Sequence, residues 1–158
     1  MKTAIKNYLD NRAKNDELFA AKYGSIDNDI IYKDGVYHLF YKGNTKDEHG
    51  REFKNGIQQA TSESLMGPWV EDFKYLDAYA DTHTAVEGSG VFKLNDKEEY
   101  ILMYDLYGSG RYEFQRSADL YTFTEQPESF TKDFFPRHGT IMSVTAEELE
   151  RLKAAYGN

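Results

Sequence analysis

The chain has 158 residues, 40% of them hydrophobic and 15% aromatic, which is enough for one packed domain and too apolar for a disordered segment. Its formal net charge of −8 opposes nonspecific binding to phosphate backbones or anionic membranes, which needs clustered Lys and Arg, so nucleic acid and membrane are both excluded as expected partners. With no cysteine, a disulfide framework, thiolate catalysis and Cys-based zinc sites are excluded as well.

The opening Met1-Lys2-Thr3-Ala4-Ile5-Lys6-Asn7-Tyr8 lacks a signal-peptide core, and no apolar run nears the roughly 20 residues of a membrane span. A soluble protein is expected, cytoplasmic if Met1 is the native start. Residues 1–22, rich in Ala, Lys, Asn and Asp with Ile5, Leu9, Leu18 and Phe19 as anchors, read as a helix or irregular lead-in.

From residue 23 the texture changes to short aromatic and β-branched runs, the composition of strands. Ile26-Asp27-Asn28-Asp29-Ile30-Ile31-Tyr32-Lys33 is followed by the turn Lys33-Asp34-Gly35 and by Val36-Tyr37-His38-Leu39-Phe40-Tyr41. The polar stretch from Gly43 to Glu52 reads as a long hairpin loop, and Gln59-Ala60-Thr61-Ser62 as a third strand, with Gly67-Pro68-Trp69 opening a fourth. The pattern then starts again. Val86-Glu87-Gly88-Ser89-Gly90-Val91-Phe92-Lys93, a turn at Leu94-Asn95-Asp96-Lys97 and Tyr100-Ile101-Leu102-Met103-Tyr104 form the second copy, continued by Phe114-Gln115-Arg116-Ser117 and Thr122-Phe123-Thr124. Aligned this way, Asp27 opens one copy and Glu87 the other.

Repeats of roughly 40–60 residues that each carry four short strands are the mark of propeller blades. A third unit begins at Arg137-His138-Gly139-Thr140-Ile141-Met142-Ser143-Val144 but stops after one strand. Thr145-Ala146-Glu147-Glu148 then opens a helix with a capping box, and Leu149, Leu152 and Tyr156 form one stripe along it. The expected architecture is all-β: a partial five-bladed β-propeller of about two blades (23–80 and 81–135), the innermost strand of a third (136–144), and a C-terminal helix (145–156), in one domain over 1–158.

Read on their own, these residues leave alternatives open. Asp27 could cap a turn, and Glu87 before Gly at the head of an apolar strand is costly to desolvate without a role. His138 fits a blade-junction core histidine as well as an axial group. His38, His49 and His83 read as structural or exposed. Asp27 and Asp29 offer too few oxygens for a Ca²⁺ shell. Gly108-Ser109-Gly110 precedes no phosphate-binding helix and reads as a hairpin turn, and Trp69 reads as packing between blades.

These motifs together resemble glycoside hydrolase family 43, five-bladed propellers that cleave arabinose- and xylose-containing plant polysaccharides. Ile26-Asp27-Asn28-Asp29 is similar to the family's third-blade opening and Glu87-Gly88 to its fourth. Tyr37 to Tyr41, Ala60-Thr61-Ser62 with Gly67-Pro68-Trp69, Leu102-Met103-Tyr104-Asp105 and Arg137-His138-Gly139 follow in the family's order. The resemblance implies that Glu87 is the general acid and Asp27 the residue that tunes its pKa and orientation. It places His138 on the axis below the sugar site, binding substrate or, through water, a metal. Apart from the resemblance, Arg111 on the second copy's third strand fits contact with a substrate hydroxyl or carboxylate as well as simple surface exposure.

An inverting glycosidase needs a protonated carboxyl at the leaving oxygen and a second carboxylate, roughly 6.5–9.5 Å away, to activate water. The like charge of Asp27 would keep Glu87 protonated near neutral pH. The family's general base lies on a first blade that nothing in this sequence matches, so the chain reads as a truncated or split enzyme. No cofactor is required, with Ca²⁺ on the propeller axis as the one possible ion. An oligo- or polysaccharide is the expected ligand, and a second chain or self-association would cover the open blade edges. The alternative is a non-catalytic carbohydrate-binding or assembly subunit that needs a partner chain.

Overall fold

A computed structural model describes residues 19–22, 24–46, 52–79, 84–125 and 138–157, with side chains left aside at 44–46, 52–54 and 125. Nearly all of the N-terminal lead-in, His49, His83 and Arg137 lie outside the described residues.

Among the described residues, eight strands form two four-stranded antiparallel sheets, each a meander in chain order. The first contains β1 (Ser25–Lys33), β2 (Val36–Lys46), β3 (Glu52–Ser62) and β4 (Val70–Asp72); the second contains β5 (Glu87–Lys93), β6 (Tyr100–Leu106), β7 (Arg111–Ser117) and β8 (Thr124–Glu125). They are two adjacent blades of an open propeller. The β1–β2 hairpin closes on Asp34 (φ 49°) and Gly35 (φ 90°) between the paired residues Lys33 and Val36. Two positive φ angles in a two-residue loop match the right-handed twist of the flanking strands, which is why Asp-Gly stands there. Each third strand leaves through a turn held by a serine: Ser62 Oγ accepts from Ser64 N, and Ser117 Oγ from Asp119 N and Leu120 N.

The main core lies between the blades. Phe40 and Ile57 of the first sheet meet Val91, Leu102, Tyr104 and Leu106 of the second, with Val86 and Leu120 closing the cluster. β6 is buried along its whole length: alternate residues Leu102, Tyr104 and Leu106 face the first blade, leaving Ile101, Met103 and Asp105 for the opposite face. Side-chain bonds reinforce the junction. Gln59 Nε2 donates to Leu120 O at 2.8 Å and to His38 Nδ1 at 3.0 Å, and Asp29 Oδ2 accepts from Val91 N at 2.9 Å. His38 is thus a buried structural histidine, as its sequence context suggested, and burial lowers its pKa.

Three features differ from the sequence reading. Trp69 packs with Phe19, Leu39, Tyr41 and Ala60 on the far face of the first sheet, because Leu39 and Tyr41 alternate with Phe40 and point away from the second blade. Residues 138–144 have no ladder partner among the described residues, since a strand exists only beside another strand; the segment instead touches the second blade through Tyr112 and Asn95. Helix α1 (Ala146–Tyr156) forms with the expected capping box, yet buries none of its residues, and Leu149, Leu152 and Tyr156 remain open to solvent.

Candidate active site

Each blade's first hairpin is interrupted at the same place. In the first, Ile26 pairs with Lys42 and Asp29 with Phe40, so Asp27 and Asn28 together face Tyr41. In the second, Glu87 pairs with Asp105 and Gly90 with Met103, so Gly88 and Ser89 together face Tyr104. Two residues against one is a β-bulge, which bends the strand and re-aims its side chains. The first bulge residue is left-handed in both, Asp27 at φ 57° and Gly88 at φ 64°, a region that Asp and Gly tolerate best.

The ladders therefore shift the sequence alignment by one residue. Asp27 corresponds to Gly88, and Glu87 to Ile26. The acids converge from neighbouring rather than equivalent positions.

The bulges also join the blades. Asp27 Oδ2 accepts from Gly88 N at 3.1 Å, and Ser89 Oγ donates to Asp27 O at 2.7 Å. His138, left-handed at φ 52°, lies over this junction and donates its N–H to Tyr112 Oη. Its ring stands between acids: Nδ1 is 3.7 Å from Asp27 Oδ1, while Nε2 is 3.4 Å from Glu87 Oε1 and 3.9 Å from Asp105 Oδ2. The close approach is permitted by glycine. A Cβ at Gly88 would fall 2.8 Å from His138 Cδ2, and one at Gly90 would fall 3.1 Å from Gly139 O.

Lys42 completes the cluster from β2, its Nζ 2.9 Å from Glu87 Oε2 and 5.6 Å from the centre of the Tyr107 ring. Burial pushes the Glu87 carboxyl up, but Lys42 and then His138 pull it down more strongly, and it settles below its ordinary 4.5. This runs against the expectation that Asp27 keeps Glu87 protonated: the contacts with Lys42 and His138 outweigh the burial of the carboxyl. Asp29, whose pKa is raised by desolvation, serves the blade junction instead.

Asp27, Glu87 and His138 each offer an electron-pair donor within 4.8 Å of the others. The imidazole turns Nδ1 toward Asp27 and Nε2 toward Glu87, and the Lys42 ammonium lies against the other Glu87 oxygen. Arg111, expected at the substrate, is 3.1 Å from Glu113 and 3.3 Å from Tyr79 Oη. Lys42, Asp105 and Tyr112 were not singled out from the sequence. The two-residue turn at Asp34-Gly35 carried the signal for Lys42, since counting back from it sets Lys42 beside the start of β1.

The chain matches over residues 4–150 the family described as Probable glycosyl hydrolase domain (Glyco_hydro_43_rel). No relative is found among curated proteins. Among solved structures it is similar to the catalytic domain of a GH62 alpha-L-arabinofuranosidase from Coprinopsis cinerea, with 18% identity and a TM-score of 0.50 over 68% of this chain and 34% of that one. An alpha-L-arabinofuranosidase from Podospora anserina matches at 19% identity and TM-score 0.46 over 65% and 30% of the two chains. An exo-beta-1,3-galactanase from Clostridium thermocellum matches at 15% identity and TM-score 0.46 over 68% and 23%. The chain thus spans about a third of the length of the first of these proteins. Two blades whose bulged first strands bring Asp27 and Glu87 under one histidine, and a family match that runs through both blades, lead to one conclusion: the chain belongs to the glycoside hydrolase family 43-related domains.

Proposed function

We propose that the chain carries the proton-donor half of an inverting glycosidase site for arabinose- or xylose-containing plant polysaccharides. The observation that supports this reading is the convergence of Asp27, Glu87 and His138 on one blade junction, with Asp27 hydrogen-bonded to the Gly88–Ser89 bulge of the other blade. Glu87 delivers its proton to the leaving oxygen, and Asp27 fixes the bulge from which Glu87 projects. His138 orients the two carboxyls. The base that activates water is a carboxylate outside these two blades, in a further blade of the same protein or in a second chain, across the roughly 6.5–9.5 Å that inversion requires.

The ionised state of Glu87 favours a second reading, a carbohydrate-binding or assembly subunit that keeps the acids without turnover. Size-exclusion light scattering, with nitrophenol release from arabinofuranoside and xyloside substrates followed across the peaks, separates the two. Turnover that is lost in Glu87→Gln supports the glycosidase. Binding of arabino- or xylo-oligosaccharides without turnover supports the binding subunit. If oligosaccharides leave the NMR signals of Asp27, Glu87 and His138 unmoved and no peak hydrolyses either substrate, both readings fall.

A further inference from the structure

We propose that Lys42 is a positioning residue that holds Glu87 out of its proton-donating role in the resting site, and that proton donation requires the Lys42 ammonium to swing away. This inference rests on the reading of Glu87 as proton donor.

The geometry is specific. Both carboxylate oxygens of Glu87 face nitrogen: Oε2 meets Lys42 Nζ at 2.9 Å, and Oε1 meets His138 Nε2 at 3.4 Å. A general acid needs one oxygen that carries a proton and faces the glycosidic oxygen. Here each oxygen is directed at a nitrogen instead. Lys42 reaches across from the other blade, and both partners are largely withdrawn from water, with side chains 14% and 18% exposed. Screening is weak at such a site, so the contact is worth more than an exposed pair.

Charged groups surround Glu87 from every packed element. Lys42 comes from β2, Asp27 from β1, Asp105 from the paired position on β6, and His138 from the segment after the second blade. Without Lys42, Glu87 would share its site with two acids and one imidazole, the like-charge setting in which a carboxyl keeps its proton. Of the two contacts that hold the Glu87 pKa down, Lys42 is the larger and His138 the smaller. The flexible four-carbon stem of Lys42 lets it leave without backbone movement, and the face of Tyr107 at 5.6 Å already offers the ammonium a second resting place.

The test is a ¹³C NMR pH titration of the full chain labelled at glutamate carboxyls, with the Glu87 signal assigned by its loss in Glu87→Gln. In the wild type the Glu87 midpoint should lie below that of an ordinary glutamate. It should move upward in Lys42→Met, which keeps the stem's packing, and stay in place in Lys42→Arg, which restores the charge. A wild-type midpoint at or above the ordinary value overturns the proposal without recourse to any variant, as does an unmoved midpoint in Lys42→Met. Lys42→Gln replaces it if the methionine variant does not fold. No turnover enters the midpoint readings: a shifted midpoint in a chain without hydrolysis or sugar binding leaves the Lys42–Glu87 contact standing but retires the glycosidase reading and, with it, the proton-donor role that the contact restrains, whereas hydrolysis with an unmoved midpoint retires the Lys42 inference alone.

Discussion

Gly88 lies directly beneath the His138 imidazole, so close that a Cβ would stand 2.8 Å from the ring's Cδ2. Gly88 is also left-handed at φ 64°. Gly88→Ala meets two obstacles at once: roughly 1–2 kcal/mol for an L-residue in that region, and displacement of His138 from between the acids. A drop in chemical-denaturation stability of at least about 1 kcal/mol is expected, with loss of the histidine's NMR contacts to Asp27 and Glu87. An unchanged His138 environment in this variant would show that the ring is not seated on the bulge.

The Lys42–Glu87 pair links stability to pH. Because the folded-state pKa of Glu87 lies below its unfolded value, the contribution is fully present above the ordinary 4.5 and disappears as pH falls through the lower, folded value. Glu87→Gln should cost about 1.5–3 kcal/mol at neutral pH, the range for a hydrogen bond to a charged group, and progressively less in acid. Urea unfolding at neutral and acidic pH measures the difference. A cost that does not vary with pH would mean the pair is not formed.

Asp119 holds the turn that delivers Leu120 to the core. Its Oδ1 accepts from Thr122 N at 2.7 Å and Tyr121 N at 2.8 Å, and these bonds bring its pKa to about 2. Leu120 is fully buried, and its carbonyl ties to Gln59 of the other blade. Asp119→Ala should lower the thermal midpoint by an amount corresponding to about 1 kcal/mol, as for loss of a capping residue. In the wild type the effect of acid on this turn should begin only below pH 3.8, the ordinary aspartate value, and be complete near 2.

The C-terminal helix is stabilised locally. Thr145 Oγ1 accepts from Glu148 N at 3.2 Å, and the Glu148 carboxylate accepts from Thr145 N at 2.8 Å. Thr145→Ala should cost the helix about 1 kcal/mol and reduce helical circular dichroism. Global unfolding should be unchanged, since no residue of α1 is buried. A matching fall in the global midpoint would reveal that the stripe of Leu149, Leu152 and Tyr156 is packed in solution.

The sequence by itself determined what depends on neighbours along the chain. Asp34-Gly35 dictates a two-residue turn, Val36 to Tyr41 and Tyr100 to Tyr104 dictate buried strands, and Thr145 with Glu148 caps the helix; the repetition of the strand pattern yields the blades. Asp27, Glu87 and His138 were legible as a group because the strand openings recur. Tertiary structure decided the rest. A bulge is a property of two paired strands, so the one-residue shift that matches Asp27 with Gly88 could not be read from one strand alone. The charge on Glu87 was decided in the same way, because an ion pair at 2.9 Å follows from the packing of two blades and not from the spacing of Lys42 and Glu87 along the chain.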